Sequence, residues 1–195
     1  MKRCSIIIHS IGGNIYIIAD YLREKLLELE IDARIYRVED PDLHIQANKS
    51  DAANQYYEDI IELSIAKPET LEKSDMIILG SPSTFGNMSP EMKEFLESTY
   101  ELFDSQKLEG KFFGCFTSCQ DSICEGAKTL DTLIYWAKYL SLLHIPFGVN
   151  RDLKIANHPV TGIVHLEGKE NLIRPSEKIG DAIELYANKI AKHLK

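Results

Sequence analysis

The sequence has few cysteines, a single tryptophan and no surplus of positive charge. Each shortage excludes something. Four cysteines (Cys4, Cys115, Cys119 and Cys124) in a chain of 195 residues do not make a disulfide scaffold. None forms a CxxC pair, so zinc-ribbon and thioredoxin spacings are absent. They read as reduced, mostly buried thiols, and the expected location is the cytoplasm. The formal net charge is −8. Phosphate backbones and anionic membrane surfaces call for the opposite balance, so neither nucleic acid nor membrane is an expected partner. One small anion held by backbone N–H groups needs no net positive charge and stays open. There is no Gly-Lys-Ser/Thr triplet and no GxGxxG. Cys4–Ala19 lacks acidic and basic residues, but His9, Gly12, Gly13 and Asn14 interrupt it. Tyr139–Asn150 is too short to span a bilayer.

What is present fits an ordinary globular protein, 44% hydrophobic and 27% charged. The length predicts one domain over 1–195. Strand and helix signals alternate. Cys4–Ser10, Asp32–Val38, Asp75–Ser81, Lys111–Thr117 and Ile145–Gly148 read as strands. Several are continuous apolar runs, the pattern of strands buried on both faces of a parallel sheet. Asn14–Leu29, Asp51–Ala66, Ala127–Leu143 and Pro175–Leu194 read as helices, with Asp40–Lys49 irregular. Another helix opens at Ser89–Pro90, with Ser89 as N-cap and Pro90 at the first position. Val149–Arg174 has no clear pattern. The expected fold is α/β, a three-layer sandwich around a five-stranded parallel sheet. Right-handed crossovers put the strand C-terminal ends along one edge, where ligands of such folds bind.

Three loops fall on that edge. Ser10, Ile11, Gly12, Gly13, Asn14 and Ile15 follow the first strand. Small residues allow close backbone approach, and the next helix offers free N–H groups. The segment reads either as a phosphate cradle without Lys or Arg, or as a structural turn. Pro82, Ser83, Thr84, Phe85, Gly86 and Asn87 follow the third strand. An aromatic and a glycine in a rigid loop can lie along a flat ring, and the plain alternative is a connector into the Ser89 helix. Thr117, Ser118, Cys119, Gln120 and Asp121 follow the fourth strand, small and polar, as an ordinary surface loop also is. Together the three describe a pocket for a flat ring with a phosphate tail.

Here the sequence resembles the flavodoxin-like superfamily, and within it the WrbA-type NAD(P)H:quinone oxidoreductases and NADPH-dependent FMN reductases. Gly80–Thr99 (GSPSTFGNMSPEMKEFLEST) follows the WrbA-type G-[ST]-P-T-R-F-G-N-M loop and the helix after it. Leu108–Lys111 (LEGK) and Ile173–Glu177 (IRPSE) extend the likeness across nearly the whole chain. The resemblance implies FMN, with Ser10–Ile15 at its phosphate, Pro82–Asn87 along its ring and Thr117–Asp121 closing the other side. It implies NADPH or NADH as donor, a quinone or other small acceptor, and a homo-oligomer, dimer or tetramer. With the hydride chemistry on the flavin, no catalytic side chain is named, and no metal is expected. A flavodoxin-type electron carrier is the alternative, and an FMN-free binding protein a third. The chain departs from the WrbA pattern in three places. Thr84 stands where an Arg is usual, SCQDSICEG replaces a Gly-rich third loop, and Tyr139–Leu140–Ser141 replaces a histidine pair. Phe103 aligns with a tryptophan that the family places over a neighbouring flavin.

Other residues read more plainly. Cys119 and Cys124 flank the third loop, as structural thiols or as a redox pair. The cysteines lack the compact spacing of an iron–sulfur site. His9 reads as a hydrogen-bonded histidine at the sheet edge, and Trp136 as part of a helix's buried face.

Overall fold

The computed structural model describes residues 1–149, 155, 158–168 and 173–194. Five strand positions form the sheet. Its first strands are β1 (Arg3–Ile8), β2 (Asp32–Arg37), β3 (Met76–Thr84) and β5 (Phe112–Cys119). Two short segments, β6 (Leu143–His144) and β7 (Ile163–Leu166), share the fifth position. All of these run parallel, in the order β2-β1-β3-β5, with β6 and β7 both beside β5. A two-residue strand, β4 (Asn87–Met88), turns back antiparallel onto β3.

The expected Ile145–Gly148 strand is not there. Ile145 still donates its N–H to Phe113 at 2.8 Å, but Pro146 follows and has no N–H to continue the ladder. The chain leaves the sheet and returns with β7, which lies in the stretch without a clear pattern. β6 pairs with Phe112 and Phe113 at the start of β5, and β7 with Phe116–Cys119 at its end.

Helices cover both faces. α1 (Asn14–Glu28) and the terminal α9 (Glu177–Leu194) share one. Here Cys4, Ile6 and Ile8 of β1 and Met76 and Ile78 of β3 meet Ile18, Leu22, Ile183 and Tyr186. The other face holds α6 (Pro90–Glu97) and α8 (Ile123–Tyr139). There Ile7, Ile77, Leu79, Phe113 and Cys115 meet Met92, Leu96, Leu130 and Leu133. Alternation along β1 and β3 therefore feeds two cores, which explains why the runs are continuously apolar. Trp136 packs against the second core, and its Nε1 donates to Thr99 Oγ1 at 3.2 Å.

Between β2 and β3 lie four short helices: α2 (Leu43–Ala47), α3 (Asp51–Asn54), α4 (Tyr57–Ile61) and α5 (Pro68–Glu72). The expected single helix from Asp51 is broken at Gln55–Tyr56, and the irregular stretch before it holds α2. α7 (Tyr100–Ser105) follows α6. The Ser89 cap is formed, with its Oγ accepting the Met92 N–H at 3.3 Å. No helix among the described residues is long and apolar enough to cross a membrane.

Candidate cofactor site

The strand order reverses at β1: one crossover leads outward to β2, the next to the opposite side at β3. In an open α/β sheet this splits the connections apart and leaves a crevice at the strand C-termini. A cavity of about 860 Å³ lies there.

One wall is the turn after β1. Ser10, Ile11, Gly12, Asn14 and Ile15 all line the cavity. Gly13 stands behind them, at φ 91°, and a Cβ on it would lie 2.4 Å from the Tyr56 ring. The turn therefore requires glycine there. A Cβ on Gly12 would meet nothing within 4 Å, so the backbone is open on that side. α1 begins without a side-chain cap. The N–H groups of its first turn, unpaired within any helix, sit beside this opening. Ser10 Oγ accepts the Tyr16 N–H at 3.2 Å, which ties strand end to helix start.

The second wall is the segment after β3. Pro82, Ser83, Thr84 and Phe85 line the cavity. The segment is a tight hairpin, with Thr84 opposite Asn87 and Ser83 opposite Met88. Its two turn residues, Phe85 and Gly86, both have positive φ, 53° and 72°. That is a hairpin turn in which glycine is common and phenylalanine is not. Phe85 is 99% exposed at the cavity mouth. Gly86 and Asn87 stand outside the cavity lining, and Asn87 Oδ1 accepts the Met88 N–H. Ser83 Oγ donates to Glu125 Oε1 at 3.1 Å and lies 2.7 Å from Thr129 Oγ1, which fixes the hairpin against α8.

The third segment contributes Gln120 alone. Thr117, Ser118 and Cys119 are buried within β5, because that strand runs two residues further than its apolar run predicts. Thr117 Oγ1 donates to Ser81 O at 2.7 Å. The Cys119 thiol faces Ser122 O at 3.2 Å, and burial, with Glu125 nearby, pushes it up to about 11. That thiol is poorly suited to redox exchange. Cys124 is exposed, and all four cysteines are free thiols. Asp121 is exposed and stands outside the lining.

Several residues here escape sequence reasoning. Lys49, Ser50, Ala52 and Ala53 form a third wall where the stretch read as irregular meets the start of the helix expected from Asp51. Glu91, Glu125 and Glu167 line it too, against one lysine, Lys49. Arg174 is the most consequential. Its Nη1 donates to Gly12 O and, at 2.9 Å, to Asn14 Oδ1. Its Nη2 donates to Ala52 O at 2.6 Å and Gln55 Oε1 at 3.3 Å, and the guanidinium lies 5.1 Å from the centre of the Tyr56 ring. The cradle expected to lack Lys and Arg is thus braced from behind by an arginine 160 residues along the chain from Asn14. The IRPSE segment was the only signal for it. His144, by contrast, sits in β6 at the opposite end of β5 and pairs with Thr161 O, so it replaces no cavity histidine.

The donor set suits FMN. An open backbone turn at a helix start, in a cavity that Lys49 also lines, can take a phosphate. An exposed aromatic on a fixed hairpin can take a flat ring.

Comparison with known proteins agrees. A "NAD(P)H dehydrogenase (quinone)" of Archaeoglobus fulgidus is 34% identical over 118 residues, 60% of this chain and 62% of that protein. A protein of the same name from Deinococcus radiodurans is 24% identical over 98% of this chain and 97% of its own. Several of the curated relatives are matched over little more than half their length. A "flavodoxin, WrbA-like protein" from Agrobacterium tumefaciens superposes with a TM-score of 0.68 at 19% identity, covering 99% and 97% of the two chains. A flavodoxin from the Archaea gives 0.64 at 16%, over 98% of each. These neighbours fix the fold as flavodoxin-like. The family model described as "NADPH-dependent FMN reductase" matches residues 6–149, which hold both main walls of the cavity, and the chain belongs to that family.

Proposed function

We propose that the protein is a single-domain FMN-dependent oxidoreductase that passes electrons from NADPH or NADH to a quinone or another small acceptor. The observation that carries the reading is the open Gly12 turn at the start of α1, facing the switch-point cavity. The N–H groups of 12–15, with Lys49, would hold the phosphate. Arg174 would keep that turn in shape, and Phe85 would lie along the ring. Lys49 is the one lysine or arginine among the described lining residues and would favour the phosphate, while the carboxylates of Glu91, Glu125 and Glu167 would disfavour a second anion in the cavity. Bound FMN would supply the hydride chemistry, so the chain's part is to bind, orient and exclude water.

The name of the A. fulgidus relative supports a quinone acceptor. The net charge of −8 favours the second reading, an electron carrier that docks on basic partners. Purified protein, or protein given FMN, should show flavin absorbance. A protein that takes up no FMN refutes both readings. Rapid anaerobic bleaching by NADPH or NADH marks the enzyme, and no bleaching by either marks the carrier. Replacing Ser10 and Asn14 together should weaken FMN binding, and unchanged affinity counts against the cradle.

We place the protein in the cytoplasm, in keeping with its free thiols. We also propose a homo-oligomer, dimer or tetramer. Tyr100 and Phe103 on α7, and Tyr135 and Tyr139 on α8, leave large aromatic side chains in water. Light scattering that gives a monomer mass would refute the oligomer.

A further inference from the structure

We propose that His9 and Glu91 bind a divalent transition-metal ion at the edge of the cavity, with Asp40 holding the imidazole in place for it. His9 directly follows β1 and is 3% exposed. Carboxylates lie on both sides of its ring. Asp40 Oδ2 is 3.1 Å from Nε2, and Glu91 Oε2 is 3.5 Å from Nδ1. The first contact is a hydrogen bond. The second is not, and Nδ1 has no partner among the described residues. A buried polar atom in that condition calls for an explanation.

The hydrogen-bond inventory supplies one. Ionised carboxylates only accept, and a neutral imidazole donates through one nitrogen. With Nε2–H given to Asp40, the Nδ1 lone pair points at an acceptor with no hydrogen between them. Asp40 is itself held, because its Oδ1 accepts the Asp42 N–H at 2.9 Å. In the neutral ring this selects one tautomer, lone pair toward Glu91. A metal-bound histidine has this arrangement, its second nitrogen donating to a carboxylate. Zinc bonds to nitrogen and oxygen are about 2.0–2.2 Å, and two of them spanning 3.5 Å open at a roughly tetrahedral angle. One imidazole and one carboxylate suit zinc, manganese or iron, and the nitrogen disfavours magnesium and calcium. Ligand atoms of His9, Asp40 and Glu91 all lie within 4.8 Å of one another, so Asp40 is near enough to serve as a direct ligand by a small shift. His9 and Glu91 line the cavity, so the remaining coordination positions would face it. These residues sit on three different connections, which is why the sequence alone names no metal ligand.

The test does not depend on the flavin reading, because it is run on full-length protein both with and without FMN. Protein stripped with EDTA is dialysed against micromolar zinc chloride and its metal content measured. One equivalent per chain is expected, unaffected by a hundredfold excess of magnesium. Glu91→Gln changes a partly exposed side chain, so the fold should survive, and it should weaken zinc binding at least tenfold. Asp40→Asn should weaken it about ten- to hundredfold, as for other partners of metal-bound histidines. Cys124→Ser should bind zinc normally. Wild-type protein that retains no zinc overturns the proposal. So does Glu91→Gln protein that binds as wild type does, or Cys124→Ser protein that no longer binds.

Discussion

Replacing Arg174 with glutamine should loosen the phosphate turn without removing any group placed against the cofactor. The guanidinium holds four acceptors at once, two on the turn and two on the segment of α3. Hydrogen bonds from a charged donor contribute about 1.5–3 kcal/mol each when removed singly. The four share one half-buried group, and water replaces part of what is lost. We expect a stability loss of about 2–3 kcal/mol. Only the half that holds Gly12 and Asn14 bears on the ligand, about 1–1.5 kcal/mol, which corresponds to a roughly five- to tenfold rise in the Kd for FMN. Lysine is the informative second variant. It keeps the charge but cannot fork between the two segments. If Arg174 acts through geometry, Arg174→Lys should bind FMN nearly as poorly as Arg174→Gln. Fluorescence quenching of FMN titrated with flavin-free protein measures both. Affinity within twofold of wild type for the glutamine variant would refute the bracing role. Full rescue by lysine would show that charge, not the fork, is what matters.

Phe85→Gly should relieve a left-handed phenylalanine, a strain of roughly 1–2 kcal/mol, and raise Tm by a few degrees. The same change removes the ring platform and should weaken FMN about tenfold. A variant that loses Tm, or keeps its FMN affinity, would contradict this account of the hairpin. Burial pushes the His158 imidazole from its ordinary 6.5 down to about 4, and it lowers His144 and His165 in the same direction. The unfolded chain then binds more protons between those values, so stability falls as pH drops from 6.5 towards 4, by roughly 3 kcal/mol for His158. Urea midpoints should decline over that window, and less so in His158→Asn. An equal decline in both proteins would remove His158 as the cause. Iodoacetamide at pH 7.5 should modify exposed Cys124 first and leave Cys119 unmodified in the folded protein, and mass spectrometry of the peptides would reveal the reverse.

The parts of this molecule that were legible are those governed by neighbours in sequence. The runs through Ile6–Ile8 and Ile77–Leu79 are apolar at every position because each serves a core on either side. Ser89 and Pro90 announced their helix because capping is decided within four residues. The tight turn after β1 was legible from Gly12, Gly13 and Asn14. Long-range effects were not. Pro146 ended a promising apolar run, and β7 was hidden by pairing that only β5 can provide. Thr117–Cys119 looked like a loop because polar residues continue β5 into the interior. Arg174 reads as an ordinary surface arginine until the fold brings it behind Gly12. His9, Asp40 and Glu91 meet only because three separate connections converge.

The shared fifth strand position has a consequence for how this protein behaves in a crowded solution. A sheet margin with a long row of unpaired N–H and C=O groups invites another chain to continue it. Here that margin consists of a two-residue piece and a four-residue piece. Neither piece is long enough to template a foreign strand. The short, interrupted margin thus acts against edge-to-edge growth. Because each piece is anchored to β5 on its own, lengthening the connection between them should cost little in closure entropy. It is the place where this fold can take up new sequence without disturbing the sheet.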